Sequence, residues 1–190
     1  MPPPSEQPPR DGASRIANAI SDYAAVARPY LDSEIGGGAM EVTAPIPVYG
    51  LGMPDPDSAP STILARTKRV AWRYLVPTSL GPKVADIRAN ATHPVLNEEP
   101  ALANNIVEAG KVAEISVGND PAYELRLLDL PVLGQSFLWA ASGNPSKPDR
   151  LFSLVDKPAE VNVTDIMERA STAERQKGVA FASGTEESGG

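Results

Sequence analysis

The stretch AYELRLLDLPVLGQSFLWAASG, residues 122 to 143, is the most apolar in the chain, and its reading decides the class of protein. A membrane helix needs about 20 apolar residues in succession, and Glu124, Arg126, Asp129, Pro131 and Gln135 interrupt this run. It reads instead as two strands. Tyr123, Leu125 and Leu127 alternate with Glu124 and Arg126, and Phe137, Trp139 and Ala141 alternate with Ser136 and Leu138, the period of two that a half-buried strand requires. Pro131 and Gly134 stand where a turn would separate the two. On this pattern Leu125, Leu127, Phe137 and Trp139 face the core together, and Glu124 faces away.

Outward from that pair, the pattern continues as short strands and three helices. Ser14 is a candidate cap for a first helix in which Ile16, Ile20, Tyr23 and Ala27 recur at helical spacing, with Pro29 to stop it. A strand follows with Met40, Val42, Ala44, Ile46 and Val48 on one face. Its prolines, Pro45 and Pro47, lie two apart and remove N–H groups from the same side, which predicts an edge strand. Trp72, Tyr74 and Val76 oppose Ala71, Arg73 and Leu75 on the next strand, and KVADIRA at 83 to 89 is expected to pair with it. Asn97 is the expected cap of a second helix with Leu102, Ile106, Ala109 and Ala113 inward and Gly118 at its close. DRLFSLV at 149 to 155 supplies another strand, and Thr164 is the expected cap of a last helix with Asp165 early and Arg169, Arg175 and Lys177 late, the charge order that suits the helix dipole.

The predicted fold class is α+β: a mostly antiparallel sheet of about five to six strands, in the order helix, three strands, helix, three strands, helix, with two to three helices packed mainly on one face. The 190 residues suit one domain with a real core. Twenty prolines and fifteen glycines exceed an ordinary loop inventory and point to tails and long connections. Residues 1 to 12 are expected to be a disordered Pro-rich tail, 13 to 178 a single domain and 179 to 190 a second disordered tail. No repeat with a period of about 20 to 50 residues is visible.

The sequence contains no cysteine, which excludes disulfides, thiolate metal sites and thiol nucleophiles. The start, MPPPSEQPPRDGAS, lacks the basic and apolar regions of a signal peptide, so the cytoplasm is the expected compartment. Asn90-Ala91-Thr92 and Asn162-Val163-Thr164 match the glycosylation triplet only by chance in that setting.

Candidates for chemistry are few. His93, in the loop NATHPVL, is the only histidine and a possible general base. Ser136 in GQSFL has part of a nucleophile elbow, but Leu138 stands where its second glycine belongs. Asp55-Pro56-Asp57 is the best carboxylate pair for a hard metal ion, although the same letters suit an ordinary turn. No phosphate-cradling glycine motif is present, and no cofactor is expected.

Asp86, Glu124 and Asp129 are the carboxylates an enzyme on the sheet face would use, with Arg73, Arg88 or Arg126 to hold an anion. Asp86 with Arg88, and Glu124 with Arg126, each alternate on one strand and can point the same way, as a cleft or an ordinary surface ion pair would have them.

Charge is segregated. Residues 66 to 88 hold six bases and one acid, whereas residues 98 to 160 hold ten acids and five bases. Such asymmetry orients a molecule on a partner or on a copy of itself. Nucleic acid is not the expected ligand, since the net charge is −7 and Trp72 and Tyr74 face away from Arg73. The expectation is therefore a small, metal-independent, non-catalytic binding or assembly protein: a subunit or adaptor of a larger complex, or a homo-oligomer. The alternative is an enzyme built from the carboxylates and arginines above.

Overall fold

The computed structural model describes residues 7–27, 44–51, 64, 67–76, 82–88, 91, 93–97, 100–155 and 157–184. Helix α1 (Gly12–Ala27) precedes strands β1 (Ile46–Leu51), β2 (Thr67–Val76), β3 (Lys83–Arg88) and β4 (Val95–Asn97). Helix α2 (Pro100–Val117) leads into β5 (Tyr123–Leu130), β6 (Gln135–Ser142), β7 (Arg150–Ser153) and β8 (Glu160–Val161), and α3 (Val163–Gly184) closes the order. All eight strands form one sheet in the order β4-β3-β2-β1-β5-β6-β7-β8. The class is α+β as expected, with eight strands rather than five or six. The two missed strands are the sheet's edges, of three and two residues, too short to show a period.

The opening stretch forms the hairpin that its letters predict. β5 and β6 pair antiparallel from Tyr123 opposite Ser142 to Leu130 opposite Gln135. Between them the Leu133 N–H donates to the Leu130 carbonyl at 3.0 Å, and Gly134 adopts φ 61°, a left-handed conformation that glycine takes without strain.

The expected shared core face is corrected. Strand register puts Leu125 and Leu127 on the face of Leu138, and Phe137 and Trp139 on the opposite face with Leu128. Leu125 is 42% exposed, whereas Phe137 to Ala141 are buried without a break. A continuous buried run is what a strand covered on both faces carries.

The helices accordingly divide between the faces instead of gathering mainly on one. α2 places Ala103, Ile106, Ala109 and Ala113 against Val48, Ala71, Leu127, Leu138 and Phe152. On the other face α3 brings Ile166, Met167 and Ala170 against Tyr49, Leu128, Trp139 and Leu151. α1 packs Ile16 against Tyr74, Val76, Ala85 and Ile87, also on that second face.

β1 is not an edge. It is a central strand, antiparallel to β2 and parallel to β5. Pro47 stands opposite Trp72, and lacking an N–H it sits where that pair exchanges no hydrogen bond, with its nitrogen toward β5. The ladder to β5 begins at Val48, so the missing donor falls just before it. Two prolines on one side thus mark the end of a ladder here. Met40 and Val42, read as part of this strand, lie outside the described residues.

Three helix caps also differ from expectation. The Arg15 N–H bonds to the Asp11 carbonyl, so α1 starts before Ser14. Asn97 ends β4, and Pro100 opens α2 at a position where its missing N–H costs nothing. Asn162 Oδ1 accepts from the N–H groups of Thr164 at 2.8 Å and Asp165 at 3.3 Å, which makes Asn162 the cap of α3. Among the described residues no helix is long and apolar enough to cross a membrane.

Burial on both faces sets a mutational pattern. Leu127→Ala and Trp139→Ala, on opposite faces, should each cost about 3–5 kcal/mol, while Leu125→Ala should cost under about 1.5 kcal/mol. Urea unfolding of the three variants checks this, and a Leu125→Ala loss as large as that of Leu127→Ala would contradict the two-sided assignment.

Burial also raises the pKa of the Tyr74 hydroxyl above its ordinary value of 10, against the opposing charge of Arg15 and with the aid of Asp11. A raised acid pKa in the folded state contributes stability present below the unfolded value and lost as pH climbs through the folded one. Tyr74→Phe should therefore flatten the alkaline loss of stability, read as the difference in denaturant midpoint across that window. Equal losses in both proteins would refute the assignment.

Candidate functional site

On the face covered by α2, β2 and β3 set Arg73 directly opposite Asp86. The guanidinium is 5% exposed and donates twice to that carboxylate, Nε to Oδ1 and Nη2 to Oδ2, each at 2.8 Å. The planar fork matches the carboxylate, the strongest geometry available to such a pair. Nη2 also approaches Asp129 Oδ2 at 3.5 Å, and Asp129 Oδ1 accepts from Ser136 Oγ at 2.7 Å. Burial acts to lower the Arg73 pKa, but the Asp86 hydrogen bond and the charges of Asp86 and Asp129 outweigh it and raise it. Nη1 is enclosed and has no partner.

The cluster borders a cavity of about 440 Å³ at the end of the sheet where β5 turns into β6. Arg73 lines it, and Leu102 and Asn105 of α2 form one wall. Gln135, Ser136 and Phe137 of β6 form a second. Leu154 and Val155 follow β7, and Ile166 and Arg169 come from α3. Asn105 is fixed by donating its side-chain N–H to the Leu154 carbonyl at 3.1 Å.

Three of the sequence candidates, Arg73, Asp86 and Asp129, therefore meet. The others do not join them. Glu124 and Arg126 lie on the opposite face as a pair, with Arg126 Nη2 at 2.6 Å from Glu124 Oε2. The same guanidinium lies 4.9 Å from the Tyr49 ring centroid and 5.2 Å from that of Trp139. These contacts leave Arg126 holding the core together. Arg88 ends β3, exposed and opposite Ala71, so the proposed couple with Asp86 is replaced by the cross-strand pair with Arg73. His93 is exposed between β3 and β4. Asp55 and Asp57 lie outside the described residues. Among the described residues no three His, Asp or Glu side chains gather as a metal site would need.

Asp129 opposite Ser136 was readable in advance, since a turn over Pro131 to Gly134 forces that pairing. Asn105, Gln135 and Arg169 were not singled out. They reach one cavity from three elements, and no local spacing signals that. The basic strand differs from expectation too. The β1–β2 register skips Val70, a bulge that turns Arg69 to the face of Trp72 and sets its guanidinium 4.8 Å from the ring centroid.

Removing the Arg73 guanidinium leaves Asp86 and Asp129 close together in a poorly hydrated place. Arg73→Met should cost about 3–5 kcal/mol, and the double variant Arg73→Met/Asp86→Leu should cost less than the single one, because it removes one of the carboxylates left unpaired. Chemical denaturation of both variants checks this. A double variant less stable than Arg73→Met would mean that packing, not charge, is what was lost.

The chain matches no protein-family model, no curated protein and no solved structure.

Proposed function

We propose that the protein works by binding, as a subunit or adaptor of a larger assembly or as a homo-oligomer, with the cytoplasm as its compartment. The observation that carries this reading is the outer face of α2. Ile115 is 87% exposed there and Val107 is exposed two turns earlier. Between them Glu108 and Lys111 neutralise one another at 2.7 Å. An outward helix face with bare apolar side chains and cancelled charge suits contact with protein better than contact with water.

The groups suited to catalysis point the same way. Asp86 and Asp129 are engaged by Arg73, and Glu124 by Arg126. The ring of Trp72 carries Arg69, which weighs against its use as a stacking platform for nucleic acid. What favours the second reading, a metal-independent enzyme, is that Arg73 and Ser136 line one cavity.

Light scattering on the purified full chain, with affinity purification of the tagged chain from its own cells, tests the proposal. A stable oligomer or a stoichiometric partner is expected, and Ile115→Glu should abolish it without lowering the unfolding midpoint. A protein that is monomeric and recovers no partner would overturn the reading, as would an assembly indifferent to Ile115→Glu.

A further inference from the structure

The cavity beside Arg73 has properties that the assembly reading does not use. Its lining is two-sided: Leu102, Phe137 and Leu154 supply an apolar wall, and Gln135 and Arg169 supply polar groups with no side-chain partner among the described residues. A volume of about 440 Å³ lies within the range of small-molecule sites, roughly 300–1,000 Å³.

Its charges are arranged unequally. Of that cluster only Arg73 lines the cavity, already engaged by Asp86 and Asp129 from outside the lining, whereas Arg169 is an exposed cation on α3 with no carboxylate bonded to it among the described residues. An anionic group is therefore drawn to the Arg169 side, where the cation is not already engaged by carboxylates, leaving the rest of a ligand to lie along the apolar wall.

We propose that this cavity binds a small organic monocarboxylate with an apolar body, the carboxylate accepting hydrogen bonds from Arg169 and Gln135 and the body lying against Leu102, Phe137 and Leu154. The guanidinium fork and the amide N–H offer the geometry a carboxylate accepts. Arg73 acts from behind, by fixing Asp129 and through it Ser136 in the wall. The site is independent of the outer face of α2, so it stands or falls apart from the assembly reading.

The test is titration of the isotope-labelled full chain with hexanoate, using hexanamide as the neutral counterpart, followed by NMR. Hexanoate should bind saturably and move the Gln135 side-chain amide resonances, and hexanamide should bind about tenfold or more weakly. Arg169→Gln, on the exposed side of α3, should reduce hexanoate to the hexanamide level. Val155→Trp, which fills the mouth from an exposed position, should remove binding of both. Absence of saturable hexanoate binding would overturn the proposal. Equal affinity for acid and amide, or hexanoate binding unchanged by Arg169→Gln, would also overturn it.

Discussion

The parallel pairing of β1 with β5 is the constraint on which the remaining architecture depends. Every other neighbouring pair in the sheet is antiparallel and joins strands consecutive in sequence. Each half of the chain is thus a helix followed by a four-strand meander, and the two meanders meet through their first strands, with Val48 opposite Leu127. Two like units joined side by side with first strands parallel are related by a half-turn about an axis along the strands. Such a rotation exchanges the faces of the sheet. The helix preceding each meander must then lie on opposite faces, which is how α1 and α2 are placed, and α3 follows by covering the face that α2 leaves open.

That arrangement explains where burial is continuous and where it alternates. β5 begins with Glu124 and Leu125 exposed and ends with Leu127, Leu128 and Leu130 buried, because the helices cover its second half on both faces. β6 runs through the middle of the covered region, and its five consecutive buried residues need no polar alternation. Arg73 is the exception among buried side chains, the only charged one in the described core. Its burial is tolerable because Asp86 on the adjacent strand answers it with two bonds and Asp129 reaches it from across β1. An ion pair of this kind contributes little net stability against an apolar substitute, but it penalises any strand register that separates its members.

How far the sequence revealed this structure follows from the range of each signal. The β5–β6 hairpin was legible because turn and alternation are local, and Pro131, Gly134 and the strand period agree. The three helices were legible from their apolar stripes, Ile106, Ala109 and Ala113 among them. Their starts were less so, since Asp11 and Asn162 compete with nearby Ser14 and Thr164, residues that can also cap, and α2 opens at Pro100, three residues after Asn97. The central position of β1 was not legible. Pro45 and Pro47 report only that one side lacks a donor, and both an outer edge and the start of a ladder satisfy that condition.

The site shows the same division between local and distant information. Arg73, Asp86 and Asp129 stand out in sequence singly, as charges on strands, but Asp86 is coupled there with Arg88, and only the β2–β3 register sets it opposite Arg73. What brings Asp129 and Ser136 to that pair is β1, lying between β2 and β5, and that placement is a property of the whole topology. Gln135 opens β6 at that end of the sheet, and Arg169 reaches the same cavity because α3 crosses to the face opposite α2. The parallel pair at the centre therefore both divides the helices between the faces and brings the Arg73 cluster to the end of the sheet where the cavity opens. A shift of two residues in the β1–β5 register would preserve every side chain's face, yet it would carry Asp129 some 6 to 7 Å along the strand and out of reach of Arg73. The buried cation would then lose its second carboxylate, so the polar cluster specifies the register that the apolar pattern alone leaves degenerate.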